Sequence, residues 1–419
     1  MDQATRFRFD YRPGALRFGA GAAADLATEL DEQECDRALV VCGSTVGASP
    51  PVIDPVRDGL GDKLADVFAE TTPEKELATA IAGADALDAA DADAIVSLGG
   101  GSSLDLAKAI SVVAADDRNR KAIAAEFARR GTISIPEAPL PPIVAVPTTL
   151  AGADLSIGAG LNASPDTGLV EEYVSGGLSD PRLMPSAVVY DPELFATTPK
   201  SVLAASAMNG FNKGIETLYA RTATPVTDGT AVRGLQLLQE GLLELGARGG
   251  EGGEGVDDGS ADDGAEHGVD AAVLEPVVEG TMLVQYGISR PEESTLSLIH
   301  AFGHGLTAGY EVQQGAAHAV VTPHALSYLF EQVDGRRDLL ADALGVGDAP
   351  DPAGAVVDAV TRVRDALGLP SRLRDVAGPE PAAFEAVAET VLEDSFMANA
   401  PAALDPTREE IEAVLEAAY

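Results

Sequence analysis

Short apolar or β-branched runs alternate with alanine-rich stretches through the first half of the chain. Residues 37–42, 94–98 and 143–147 are apolar at nearly every position, which predicts strands buried on both faces of a parallel sheet. Between them, 52–65, 76–90 and 103–115 carry apolar residues at helical spacing and predict amphipathic helices. This is the strand–helix–strand rhythm of a nucleotide-binding sheet. After Asp191-Pro192 the texture changes. Long Ala/Leu/Glu stretches of helical period cover 199–219, 230–245 and 273 to the C-terminus, so the second half is predicted to be helical. The expectation is an α/β dinucleotide-binding domain over 1–188 and an all-α catalytic domain over 189–419.

The acidic, glycine-rich segment 249–270 interrupts this pattern and has almost nothing to bury. It is expected to be a disordered surface insertion between two helices, and His267 within it is not a metal-ligand candidate. Over the whole chain, 46% hydrophobic residues in 419 positions supply enough apolar surface for two cores. The charge balance narrows the partners. With 28 basic and 67 acidic residues the net charge is −39. Binding nucleic acid or an anionic membrane depends on Lys and Arg displacing counterions, so neither is an expected partner. The only lysines are Lys63, Lys75, Lys108, Lys121, Lys200 and Lys213, which reads as an acidic, halophilic surface whose self-repulsion needs concentrated salt. No basic-then-apolar leader precedes Arg6, and no apolar run approaches the roughly 18 residues that cross a bilayer, so a cytoplasmic location is expected. Cys35 and Cys42 have no disulfide or zinc spacing and are read as reduced and structural.

Two segments carry candidate chemistry. The run Gly99-Gly100-Gly101-Ser102-Ser103-Leu104-Asp105-Leu106-Ala107-Lys108 follows a predicted strand and opens a predicted helix. Glycines there permit positive φ and close backbone approach, so free N–H groups at the helix start can receive a pyrophosphate. Gly99, Gly100, Gly101, Ser102 and Asp105 are therefore candidate cofactor residues. Pro147-Thr148-Thr149-Leu150-Ala151-Gly152 ends another strand and offers the Thr148 and Thr149 hydroxyls at the carboxyl edge of the sheet, where open α/β sheets bind ligands. Gly43 follows the first strand, in a stretch that has no carboxylate to hold the ribose hydroxyls and repel a 2′-phosphate, so NADP is allowed as well as NAD.

These motifs, with Val189-Tyr190-Asp191-Pro192-Glu193-Leu194 and the histidine-bearing stretch 298–328, resemble in order and spacing the iron-containing (group III) alcohol dehydrogenases. The resemblance runs from Tyr11-Arg12-Pro13-Gly14 to at least Tyr328. It implies a dehydroquinate synthase-like architecture, a nicotinamide cofactor in the cleft between the two domains, and a homodimer or larger assembly. It also implies a divalent metal held by an Asp, a His four residues later on one helix, and two further histidines. Here Asn209 stands at the Asp position and Lys213 at the His position; His300 matches the third ligand and Gln314 replaces the fourth. An ammonium offers three donors and no lone pair, and it repels a divalent ion at contact distance. No catalytic metal is expected; any residual ion would have only Asn209, His300 and Gln314.

The maleylacetate reductases are metal-poor relatives that this chain resembles in Met208-Asn209-Gly210, Leu218-Tyr219-Ala220 and the stretch 318–326, although Lys213 and Gln314 replace histidines of that branch too. The reading is an NAD(P)H-dependent reductase or dehydrogenase acting on a carbonyl, alcohol or enone of a small, carboxylate-bearing molecule. Lys213 is the candidate positive charge, and His300, His304 or His318 the candidate proton donor. His324 is read as structural. A metal-dependent alcohol dehydrogenase with unusual ligands and a non-catalytic nucleotide-binding relative are the alternatives.

Overall fold

The computed structural model describes residues 7–10, 13–248, 269–290 and 293–419. Within it the chain forms two compact units. One comprises Arg12–Thr149 and Ala153–Thr197; the other comprises Met1–Tyr11, Leu150–Gly152 and Thr198–Tyr419.

The first unit is an α/β sandwich. Its strands are β1 (Ala15–Phe18), β2 (Ala38–Gly43), β3 (Leu64–Thr71), β4 (Ala94–Gly99), β5 (Ile143–Pro147) and β8 (Ala187–Tyr190), all parallel in the order β1-β8-β5-β4-β2-β3. Helices α1 (Leu26–Glu32), α2 (Ser44–Gly47), α3 (Pro50–Leu60), α4 (Leu77–Ala89), α5 (Gly101–Ala114), α6 (Arg120–Arg130) and α7 (Pro192–Phe195) connect and flank them. Every residue of β4 and β5 is buried, which is why these runs lack alternation. Val40, Val96, Leu98, Val144 and Val189 pack with Leu26, Ile53 and Leu60 into one core. Such side chains contribute about 1.5–3 kcal/mol each on full burial. The chain leaves β2 for the β3 edge and leaves β4 for the opposite edge. The switch point between β2 and β4 is therefore flanked by the turns after Gly43 and Gly99.

Some elements depart from expectation. The helix read over 52–65 stops at Leu60, because Gly61 takes φ +52°, and Leu64 already begins β3. β6 (Gly158–Ala163) and β7 (Val174–Ser179) form an antiparallel hairpin that the glycine-rich sequence concealed. There, a side chain on Gly176 would place its Cβ 1.9 Å from the Gly131 carbonyl oxygen, so close approach replaces side-chain pattern. β8 and α7 carry this unit past residue 188, and the units part at Thr197 and Thr198.

The second unit is built from helices: α8 (Lys200–Tyr219), α9 (Pro225–Arg248), α10 (Ala271–Gln285), α11 (Leu298–Thr307), α12 (Gln314–Gln332), α13 (Arg337–Ala343), α14 (Pro352–Ala366), α15 (Phe384–Glu393) and α16 (Arg408–Ala418). α8 is its centre, buried without a break from Gly210 to Tyr219. α9 and α10 meet through Gly234 and Gly280, where a Cβ on either would approach the other's carbonyl oxygen to 2.8 Å. The expected insertion and His267 lie outside the described residues, apart from the end at 269–270, where Asp270 caps α10. No helix among the described residues is long and apolar enough to cross a membrane.

Candidate functional site

In the α/β unit, β4 ends on Gly99 at φ +131°, a backbone conformation that glycine adopts and side-chain-bearing residues avoid. Gly100 then precedes the first turn of α5, and a Cβ there would lie 3.2 Å from Thr149 Cγ2. Thr148 donates its N–H to the Gly99 carbonyl at 3.0 Å. The structure thus brings Gly99, Gly100, Gly101, Ser102, Thr148 and Thr149 to one end of the sheet, around the leading N–H groups of a 14-residue helix. The helix dipole and those donors suit an anion. Gly43 ends β2 beside Thr71, whose hydroxyl meets Ser103 Oγ at 3.0 Å.

Asp105 is held by partners within the same unit. Its Oδ2 lies 3.1 Å from Lys75 Nζ and accepts the Gly160 N–H at 3.2 Å, which fixes the β6–β7 hairpin against α5. Lys108 does the same from one turn further on, donating to the Ser156 and Gly158 carbonyls at 2.7 and 2.9 Å. The motif thus joins a glycine turn to a second half that ties α5 to the β6–β7 hairpin.

In the helical unit, Asn209, Lys213 and Glu216 recur at helical spacing on α8. Leu150–Gly152 rests on this helix: Leu150 N–H donates to Ser206 Oγ at 3.1 Å, and a Cβ on Gly210 would lie 2.3 Å from the Leu150 carbonyl oxygen. Lys213 is 9% exposed, and its Nζ donates to the Gly152 carbonyl. Gly152 holds φ +63° and would clash with Gln285 if it bore a side chain.

Glu216 is fully buried and collects donors from the start of α11 and from its own helix. It accepts from Ser297 N–H at 3.1 Å, His300 N–H at 3.0 Å and the Tyr219 hydroxyl at 3.3 Å, and its second oxygen meets His300 Nδ1. α11 has no side-chain cap of its own, so Glu216 serves as its N-terminal cap from α8. Burial pushes the Glu216 carboxyl up to about 7 in spite of these donors. Burial, then the Lys213 charge, hold the His300 imidazole well below its ordinary value. His300 Nε2 lies 3.0 Å from Asn209 Oδ1. With Nε2–H donating to that amide oxygen, a carboxylic acid facing a neutral Nδ1 satisfies both shifts.

His318 stands edge-on to His300, ring centroids 4.6 Å apart, and neither of its buried nitrogens has a hydrogen-bond partner among the described residues. Burial, then His300, depress its pKa well below the ordinary value. The folded chain therefore keeps this imidazole neutral where the unfolded chain, titrating near pH 6.5, takes up a proton. The penalty is absent above about pH 6.5 and grows as pH falls below it. The unfolding midpoint of His318→Phe is expected to decline less between pH 7 and 5 than that of the parent. Thermal melts of the two proteins across this pH range check this.

His304 lies one turn beyond His300, half-exposed, with Nδ1 2.7 Å from Asp394 Oδ2. Gln314 opens α12 and makes no hydrogen bond to Asn209 or His300 among the described residues. His324 is apart from the cluster and lines a surface hollow with Tyr328 and Glu410. Sequence reasoning missed Glu216 and Asp394. The first had a signal in its place three residues after Lys213 on the same helix face; the second had none, being 90 residues from its partner.

This donor set does not fit the divalent ion that the resemblance implies. Lys213 brings positive charge and no lone pair, and Asn209 Oδ1 is engaged by His300. No group of three or more His, Cys, Asp or Glu among the described residues is arranged to hold a metal.

Comparison with known proteins gives a consistent picture. The family model for iron-containing alcohol dehydrogenase matches residues 13–192, and that for the C-terminal part of the Fe-containing alcohol dehydrogenase family matches 260–419. A maleylacetate reductase from Pseudomonas aeruginosa is 28% identical, covering 99% of this chain and 97% of that protein. The NAD-dependent methanol dehydrogenase of Bacillus methanolicus is 26% identical over 91% of this chain and 92% of its own length. A 1,3-propanediol oxidoreductase structure shares the fold with a TM-score of 0.81 at 23% identity, covering 99% of this chain and 100% of that one.

Proposed function

This chain belongs to the iron-containing alcohol dehydrogenase family, and from that premise we propose that it is an NAD(P)H-dependent oxidoreductase working without a divalent metal. Its substrate is a small carbonyl or enone compound bearing a carboxylate, of the maleylacetate type. The observation that carries this reading is Lys213: a buried ammonium one turn beyond Asn209, within electrostatic reach of His300 and His318.

The glycine turn Gly99–Ser102, with Thr148 and Thr149, would hold the cofactor's pyrophosphate. Gly43 leaves room and no repulsion for a 2′-phosphate, which supports NADP(H) alongside NAD(H). When bound, the nicotinamide supplies a hydride. Lys213 places N–H donors and positive charge where oxygen gains negative charge, the work a Lewis acid does in a metal enzyme. An imidazole of the α11–α12 cluster returns the proton, to that oxygen in giving an alcohol from a ketone or aldehyde, or to the α-carbon of the enolate that hydride addition to the β-carbon of an enone leaves, giving the saturated ketone.

The acidic surface makes concentrated salt the working medium of this protein. A screen of 2-oxo acids, aldehydes and maleylacetate-type enones in concentrated KCl, following NADH and NADPH consumption, tests the reading. Turnover is expected with carboxylate-bearing substrates and is expected to survive chelation. Turnover that chelation abolishes and iron or zinc restores would establish the metal-dependent alternative; no turnover with any substrate would leave a nucleotide-binding relative.

A further inference from the structure

The half-exposed His304 is held more firmly than its place in the last turn of α11 requires. Asp394 Oδ2 meets its Nδ1 at 2.7 Å, while Asp394 Oδ1 accepts the Phe396 N–H at 2.8 Å and so caps the turn Ser395–Asn399. Burial opposes ionisation of Asp394, but the imidazole and the Phe396 N–H outweigh it and hold the carboxyl below its usual range. The same turn presents the Phe396 ring to both imidazoles, with centroids 5.3 Å from His304 and 6.2 Å from His300. One short segment after α15 therefore sets the orientation of His304 and borders His300. The His304 side chain is 42% exposed, and its Nε2 meets no protein partner among the described residues.

We propose that Asp394 is the positioning residue of the proton donor: it fixes the His304 tautomer and ring plane so that Nε2 passes a proton from bulk water to the reduced substrate. This rests on the reductase reading above. The step balances simply. Hydride brings two electrons to the carbonyl carbon, the C=O π pair moves to oxygen, the imidazolium of His304 gives that oxygen its Nε2 proton, and water reprotonates the ring. An ionised carboxylate at Nδ1 stabilises the imidazolium without being protonated itself.

Asp394→Asn tests this while keeping an oxygen to accept the Phe396 N–H. Its amide N–H would face Nδ1 and drive the ring proton to Nε2. The expected result is a kcat lower by about 100-fold, with the KM for NAD(P)H within about twofold and partial recovery in Asp394→Glu. Free imidazole is expected to restore turnover to His304→Ala, which a structural role of the ring would not allow. Nitrogen-15 NMR of labelled histidines is expected to show Nδ1 protonation in the parent and Nε2 protonation in Asp394→Asn, whatever the activity. A folded Asp394→Asn with parental kcat, or a folded His304→Ala that imidazole does not rescue, overturns the proposal. If Asp394→Asn does not fold, the imidazole rescue and Asp394→Glu decide it. Failure of the reductase reading shows instead in the parent protein, as absent or chelator-sensitive turnover.

Discussion

Lys213→Met is expected to lower kcat by about 10²–10³-fold, the usual consequence of removing one donor aimed at a developing oxyanion. Methionine keeps the length of the stem and deletes only the charge and its donors, so it separates electrostatics from packing better than alanine does. Lys213→Ala is expected to abolish measurable turnover, because it removes packing as well. In both variants the Gly152 carbonyl loses the ammonium that it accepts from, a stability cost of about 1–3 kcal/mol for a buried polar group left without its partner. Kinetics are therefore to be compared well below the melting range. Binding of NAD(P)H, followed by fluorescence titration, is expected to stay within about twofold, since the glycine turn belongs to the α/β unit and is built from its own residues. The charge removed is also one that depresses His300, so that imidazole regains basicity in the variants. Near-parental turnover in Lys213→Met would remove the ammonium from the mechanism.

The second large effect is expected from dilution of salt. The net charge of −39 must be confined to one folded surface, and only 28 residues oppose it. Several arginines are already shared among acids: Arg118 bridges Asp116 and Glu126, and Arg408 lies between Glu385, Glu389, Glu409 and Glu412. Those local pairs leave the long-range repulsion in place. Its reach is about 10 Å at 0.1 M salt and about 30 Å at 0.01 M, so in dilute buffer each carboxylate feels most of its face of the protein. The melting midpoint is expected to rise steeply with KCl concentration, and activity to disappear reversibly on dialysis against dilute buffer before the chain aggregates. Circular dichroism melts across a salt series measure this, with sucrose as an uncharged control that should not substitute for KCl. A midpoint independent of salt would show that the acidic surface is tolerated without screening.

The legible parts of this protein were those where one local rule dominates. Continuous burial made 143–147 readable to the residue, and β4 differed only by its terminal Gly99. The glycine turn was visible because positive φ at Gly99 demands glycine. Lys213 stood out because its chemistry is incompatible with the role that its position implies. What sequence could not convey were contacts made across distance. The contacts of Asp105 with Lys75 and Gly160, 30 and 55 residues away, are of this kind. Glu216 caps a helix that begins some eighty residues later, and no periodicity on α8 reveals that. The β6–β7 hairpin uses glycine for close backbone approach, which removes the alternation by which strands are read. Likewise the helix expected over 52–65 merged two elements, since only the backbone shows Gly61 turning the chain into β3.

The most direct test of the central claim is the metal content of fully active enzyme, measured alongside its turnover before and after exhaustive chelation. With an ammonium on α8 where an imidazole ligand would be needed, transition-metal occupancy far below one ion per chain and undiminished turnover are the expected results. One iron or zinc per chain, lost to the chelator together with activity and regained with it, would contradict the account.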